Sequence, residues 1–95
     1  MILHIVNQSP FQHSALQQCL RALGQNDSIL LIEDGVLLMS NPGKFTSLPP
    51  SANLFVLGAD CKARGITINT SVGTEVDYDR FVELTTQHTK TISWF

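Results

Sequence analysis

Two short apolar runs constrain the fold more than any other feature of this sequence. The runs are Ile29–Ile32 and Leu54–Leu57. Each contains only aliphatic or aromatic residues, and no polar residue interrupts either run. A strand with one face in water alternates apolar and polar residues, whereas a strand covered on both faces does not need to. These runs therefore predict central strands of a parallel sheet that has helices on both faces.

Three other segments complete the predicted sheet. Ile2–Val6 is a β-branched run typical of a strand, and Val72–Val76 is weaker strand material. Near the end of the chain, Ile92 and Trp94 alternate with polar residues, as expected of a closing strand. With helical patterns between the strands, the predicted order is βαβαβαβαβ, which calls for right-handed crossovers. We therefore expect one three-layer α/β domain over residues 1–95, built on a mostly parallel five-stranded sheet.

The first helix is predicted from a capping pattern and an apolar stripe. Ser9-Pro10 offers an N-cap hydroxyl followed by proline at the first helical position, and Gly24 is expected to close the helix in a left-handed conformation. Residues spaced i, i+3, i+4, i+7 predict one buried face. They are Leu16, Cys19, Leu20 and Leu23. Cys19 should therefore face inward or into a seam.

The remaining helical segments are short. Val36–Met39 is expected to form a short apolar helix or turn. Asp60 is predicted to cap one helical turn, Cys61–Arg64, which Gly65 would end. Asp79 is predicted to cap the last helix.

The charge content limits the possible functions. Charged residues make up 15% of the chain, against roughly 25% in typical soluble domains, so too few charges are available to cover every face. This shortage indicates a surface that a partner covers. The net charge of −2 argues against direct nucleic-acid binding, because only Lys62 and Arg64 lie close together. No apolar run is long enough for a membrane span and no signal peptide is recognised, so we expect a cytoplasmic protein without membrane contact.

The carboxyl ends of the predicted strands are where a parallel sheet binds ligands. Asn7-Gln8-Ser9 after the first strand has no Gly-x-Gly pattern and no phosphate-binding lysine, so no nucleotide site is predicted. Glu33-Asp34 is superficially similar to the acidic pocket of a receiver domain, but the last strand lacks the necessary lysine, and a turn with carboxylates is the simpler interpretation. We expect no cofactor and no metal, since the histidines lack ligand spacing and suit structural or surface positions. They are His4, His13 and His88.

The two cysteines are the candidate reactive groups. In a reducing compartment both are expected to be free thiols. Cys61 lies near a predicted helix N-terminus beside Lys62 and Arg64, which would stabilise a thiolate, although a cysteine at this position also packs well onto a sheet. Cys19 lies on an apolar stripe, where its pKa should rise unless a partner brings a positive charge. For each thiol, chemistry and packing stay open as alternatives.

An ordered set of segments along nearly the whole chain resembles the TusB/DsrH family. The segments are Leu3-His4 with Ser9-Pro10-Phe11, Leu30–Val36, Val56–Asp60 leading to Ala63-Arg64-Gly65, and Val76–Thr85 followed by Trp94. The resemblance implies a small DsrEFH-like α/β subunit of a sulfur-relay complex, either TusBCD, a dimer of heterotrimers, or its DsrEFH relative in sulfur oxidisers. In the Tus system, persulfide sulfur passes from TusA through TusD to TusE and ends in 2-thiouridine at the wobble position of certain tRNAs.

The same resemblance ranks the cysteines. The family's best established sulfur carrier is a cysteine of the sibling subunit, TusD or DsrE, close to the end of the third strand. Here that stretch is Leu57-Gly58-Ala59, without a thiol, so the resemblance makes Cys61 a weaker candidate. DsrH-type members carry a cysteine in the first helix after the Ser-Pro-Phe segment, and Cys19 matches that place. The resemblance thus implies Cys19 as a candidate persulfide acceptor.

These observations favour a mainly structural subunit of a sulfur relay that serves tRNA wobble uridine thiolation. The implied partners are the siblings TusC and TusD, or DsrF and DsrE, in a heterohexamer, with TusA and TusE-like carriers reached through the complex. One alternative is a persulfide-carrying sulfurtransferase acting through Cys19, and another is a DsrH-like role in oxidative sulfur metabolism. A free-standing receiver or nucleotide-binding module ranks last, because the lysine and the glycine-rich loop are missing.

Overall fold

The computed structural model describes all residues from Met1 to Phe95 and contains one five-stranded sheet. Every neighbouring pair of strands is parallel, in the order β4-β3-β2-β1-β5. The strands are β1 (Ile2–Val6), β2 (Ser28–Leu31), β3 (Leu54–Leu57), β4 (Thr74–Val76) and β5 (Lys90–Trp94). The predicted α/β class and parallel sheet are confirmed.

Three α-helices and three 3₁₀ helices connect the strands. The α-helices are α1 (Ala15–Ala22), α2 (Gly58–Ala63) and α3 (Tyr78–Gln87). The segment between β2 and β3 holds only 3₁₀ helices, the longest of which runs from Glu33 to Ser40. It contains the predicted short helix at Val36–Met39. None of the helices is long and apolar enough to cross a membrane.

The apolar core is divided between the two faces of the sheet, because successive side chains of a strand point to opposite faces. On one face Val6 and Ile29 pack with α1, the long 3₁₀ helix and α2. On the other face Leu3 and Leu30 pack with Leu84 of α3. All residues of β2 and β3 are buried, which explains why their sequences do not alternate. The helix α3 connects β4 at one edge of the sheet to β5 at the other.

The predicted ends of the first helix are wrong. Residues Ser9 and Pro10 form a turn instead, in which the Ser9 hydroxyl accepts from the Phe11 N–H at 3.3 Å and the Ser9 carbonyl accepts from the His13 N–H at 3.0 Å. Serine readily makes such local hydrogen bonds, and they compete with helix formation. The helix ends at Ala22, and Gly24 does not adopt a left-handed conformation.

Two predicted acidic caps also differ. Asp77, not Asp79, caps α3, because its carboxylate accepts from the Arg80 N–H at 2.8 Å. Asp60 lies inside the first turn of α2, and its carboxylate accepts from the Glu33 N–H at 2.6 Å. Gly65 does follow α2 with a left-handed φ of +64°, as expected of a residue that ends a helix.

Candidate functional site

Cys19 lies on the inward face of α1, as its spacing predicted. Leu16 and Cys19 are fully buried, and Leu20 and Leu23 are half-buried against the same core. Burial, together with the negative charge of Asp27, raises the pKa of the Cys19 thiol to about 12. Since the thiolate is the reactive form, a thiol with this pKa is almost entirely protonated at neutral pH.

A buried hydrogen-bond network lies on the same side of the sheet as Cys19. The carboxylate of Asp27 lies 3.0 Å from His4 Nε2 and accepts from the backbone N–H groups of Ile2 at 3.0 Å and Gly24 at 2.9 Å. The indole Nε1–H of Trp94 donates to His4 Nδ1 at 3.0 Å. Because an indole N–H can only donate, Nδ1 is the acceptor, and the ring proton on Nε2 points at Asp27.

This network stabilises the fold and has no open reactive group. Burial by itself raises the pKa of Asp27, but the hydrogen bonds from His4, Gly24 and Ile2 outweigh it and lower the pKa to about 2. Asp27 is therefore ionised at neutral pH and joins the start of β1 to the loop after α1. Only one sequence signal points to it, a histidine inside an apolar strand, because the bonded side chains are 23 and 90 residues apart.

Cys61 is buried on α2 and packs into the same core as α1. Burial, and then the charges of Glu75 and Asp60, raise the pKa of its thiol. Arg64 lowers this pKa to a lesser extent, and its guanidinium bonds the Asp34 carboxylate at 2.9 Å. The sequence suggested that Lys62 and Arg64 would stabilise a thiolate here. In the structure the carboxylates of Glu75 and Asp60 outweigh Arg64, so the surrounding charges favour the protonated thiol.

Cys19 and Cys61 are both free thiols. No group of three or more His, Cys, Asp or Glu side chains is arranged to hold a metal ion.

The carboxyl ends of β3 and β4 form the crevice where a sheet of this topology binds ligands. The connection after β3 lies on the α1 face and the connection after β4 lies on the opposite face, and such a reversal marks the binding crevice of open α/β sheets. A depression of about 400 Å³ lies on the β4 side of this point, at the turn into α3, and is lined by Glu75, Val76, Asp77 and Arg80. It contains carboxylates and a guanidinium but no thiol.

Glycine at position 58 and the side chain of Glu75 meet at this crevice. A Cβ atom added to Gly58 would overlap the Glu75 carboxylate. The carboxylate therefore occupies the volume that a side chain at residue 58 would need. A side chain placed there would require the exposed Glu75 carboxylate to turn aside.

Comparison with known proteins identifies the family. A family model described as "DsrH like protein" matches residues 8–91. The chain belongs to the DsrH-like family. Relatives of this DsrH-like chain include proteins named TusB from Pectobacterium parmentieri, 34% identical, and from Klebsiella pneumoniae strain 342, 37% identical. Each alignment covers 98% of this chain and 100% of the relative.

The fold of this DsrH-like chain also occurs in a solved structure. The solution NMR structure of protein Tm0979 from Thermotoga maritima superposes with a TM-score of 0.69 and covers 93% of this chain and 94% of that one. At 24% identity this likeness concerns the fold alone. It agrees with the parallel α/β architecture described above.

Proposed function

We propose that this chain is a cytoplasmic, mainly structural subunit of a TusBCD-type sulfur-relay complex that supports 2-thiolation of the tRNA wobble uridine. Its single domain, residues 1–95, positions the cysteine-bearing sibling and does not carry sulfur itself. The observation that carries this proposal is the end of β3, where Gly58 has no side chain and the Glu75 carboxylate occupies the adjacent space.

Two features of the end of β3 oppose sulfur transfer by this chain. The family resemblance expects a sibling's carrier cysteine close to this end of the third strand, and this chain has no thiol in Leu57-Gly58-Ala59. A carboxylate in that volume also disfavours an incoming persulfide anion, since like charges at close range raise the energy of the ionised group.

The environments of the two thiols support the same proposal. Cys19 and Cys61 are both buried, and both have raised pKa values. Sulfur transfer requires an accessible thiolate. The sulfurtransferase alternative through Cys19 therefore requires that a partner both expose this thiol and bring positive charge to it, and Cys61 has even less support.

The relatives favour the tRNA branch of the family over the oxidative one. Full-length relatives at 34% and 37% identity carry the name TusB. We accordingly propose TusC-like and TusD-like siblings as direct partners in a heterohexamer. TusA-like and TusE-like carriers would contact the complex through the sulfur-carrying sibling, without direct binding of nucleic acid by this chain.

Co-expression with the two siblings tests the proposal. We expect the three chains to co-purify as one species by light scattering, and we expect deletion of this chain to abolish tRNA 2-thiouridine. The variant Cys19→Ala/Cys61→Ala should restore thiouridine in the deletion strain, because neither thiol is needed. A well-behaved monomer that does not co-purify with the siblings, or a double variant that assembles normally but leaves tRNA unthiolated, would refute the structural role.

A further inference from the structure

An open groove lies between the outer side of α1 and the loop that follows the second 3₁₀ helix, Pro42–Lys44. It holds about 480 Å³. We call it the α1 groove, and its lining residues are Pro10, Phe11, Gln17, Leu20, Arg21, Lys44, Phe45, Thr46 and Ser47. Neither the crevice at β3 and β4 nor either cysteine is part of it.

The α1 groove combines an aromatic wall with positive charge. The rings of Phe11 and Phe45 have centroids 6.1 Å apart, and Lys44 Nζ lies 5.7 Å from the Phe11 centroid. Arg21 and Lys44 take part in none of the ion pairs of the molecule, and no carboxylate lines the groove. In a chain of net charge −2, this is a local positive site that no residue of the chain neutralises.

The composition of the groove indicates the chemistry of its occupant. An aromatic side chain fits the phenylalanine wall, and carboxylates beside it would pair with Arg21 and Lys44. The groove is open to solvent, whereas small-molecule sites usually enclose most of their ligand. A protruding acidic and aromatic segment of a protein therefore fits better than a small anion.

This chain presents such a segment itself at the start of α3. Tyr78 is 60% exposed and is flanked by the exposed residues Asp77 and Asp79, with Glu75 nearby. We call these four residues the acidic knuckle. The one neighbouring cation, Arg80, is held by Glu83 at 3.2 Å and by Gln87 at 3.0 Å. The knuckle therefore presents an aromatic ring among carboxylates that form no ion pair.

The groove and the knuckle cannot meet within one molecule. The helix α1 packs on one face of the sheet, and α3 packs on the other. We propose that the α1 groove binds the acidic knuckle of a second copy of this chain, so that copies associate head to tail. The partner surfaces differ, so the contact is heterologous and either closes into a ring or extends to further copies. This inference goes beyond the proposed function, because it concerns the chain in the absence of its siblings.

Sedimentation velocity of the isolated chain over a concentration series tests the proposal. We expect association that weakens with added salt, because the contact is ionic. Reversing both groove cations, Arg21→Glu/Lys44→Glu, should raise the dissociation constant by about tenfold or more. The matched control Lys62→Glu/Lys90→Glu makes the same change in net charge at exposed sites outside the groove and should leave the association unchanged.

A charge swap provides the decisive comparison. Asp79→Lys alters the exposed knuckle without touching the Asp77 cap, and alone it should also weaken association. Mixing this variant with the groove-reversed chain should restore association, since the intact groove of the Asp79→Lys chain can bind the intact knuckle of the groove-reversed chain. A wild-type chain that stays monomeric at every concentration, a control variant that associates as poorly as the groove variant, or a mixture that fails to associate would each overturn the proposal. These results are independent of sibling co-purification, so the two proposals can fail separately.

Discussion

Two carboxylates, Asp27 and Glu75, each raise the pKa of a neighbouring cysteine, but their environments differ. Asp27 is buried and accepts hydrogen bonds from a side chain and two backbone N–H groups, and it lies near Cys19. Glu75 is exposed, and its carboxylate fills the space above Gly58 near Cys61. The Asp27 carboxylate is a buried, hydrogen-bonded part of the packed structure, whereas the Glu75 carboxylate lies at the surface in the space left by the missing side chain of Gly58.

The region around Asp27 contributes to stability, whereas the region around Glu75 is where a carrier thiol would be expected. The Asp27 network connects three segments of the chain, so changes there should affect folding. The Glu75 side chain is exposed to solvent, so the crevice at the end of β3 should tolerate change. A chain that keeps the first region and leaves the second without a nucleophile fits a structural subunit better than a carrier.

The largest expected effect is the loss of the Asp27 carboxylate. Asp27→Ala leaves His4 Nε2–H and the N–H groups of Ile2 and Gly24 without their acceptor, and we expect it to lower the free energy of unfolding by about 3 to 5 kcal/mol. Glu75→Ala is the matched control, with a change within about 0.5 kcal/mol. Urea unfolding measures both. Equal losses in the two variants would remove the distinction between the two regions.

A pair of glycine substitutions tests how firmly each region is packed. A Cβ at Gly35 would overlap the backbone carbonyl of Val6, whereas a Cβ at Gly58 would meet only the mobile end of Glu75. We expect Gly35→Ala to lower the free energy of unfolding by about 2 to 3 kcal/mol. Gly58→Ala should change it by less than about 1 kcal/mol, because Glu75 can turn toward solvent. If Gly58→Ala lowers the free energy of unfolding more than Gly35→Ala does, the crevice at Gly58 is the more tightly packed of the two regions.

The pH dependence of stability sharpens the comparison further. The folded-state pKa of Asp27, about 2, lies below its unfolded value, so its contribution is present above about pH 4 and is lost as the pH falls toward 2. The difference of nearly two units corresponds to about 2.5 kcal/mol. Thermal unfolding between these pH values should show a loss of this size in wild type and a much smaller one in Asp27→Asn. A slope that is identical in both chains would show that other carboxylates dominate acid unfolding.

The parts of the fold that depend on local sequence were predicted well. The apolar runs of β2 and β3 and the inward stripe of α1 are confirmed. The helix boundaries were less predictable, because Ser9 and Asp79 each lie near a second polar group or turn that competes for the capping position.

The features that decide the candidate site were not predictable. Asp27 resembles an ordinary turn residue before a strand. Its partner His4 lies 23 positions away, and Trp94, which bonds His4, lies 90 positions from that histidine. Glu75 covers Gly58 only because β3 and β4 are neighbours in the sheet. Contacts that arise from strand order leave no periodic pattern in a single sequence.

Sulfur mapping on the assembled complex tests the central claim most directly. The complex of this chain with its two siblings would be incubated with a persulfide donor, and peptides would be searched for the added mass of one sulfur atom, about 32 Da. We predict the adduct on the sibling's carrier cysteine, with Cys19 and Cys61 unmodified. A stoichiometric adduct on Cys19 that is lost in Cys19→Ala together with tRNA thiolation would contradict the account and make this chain a sulfur carrier.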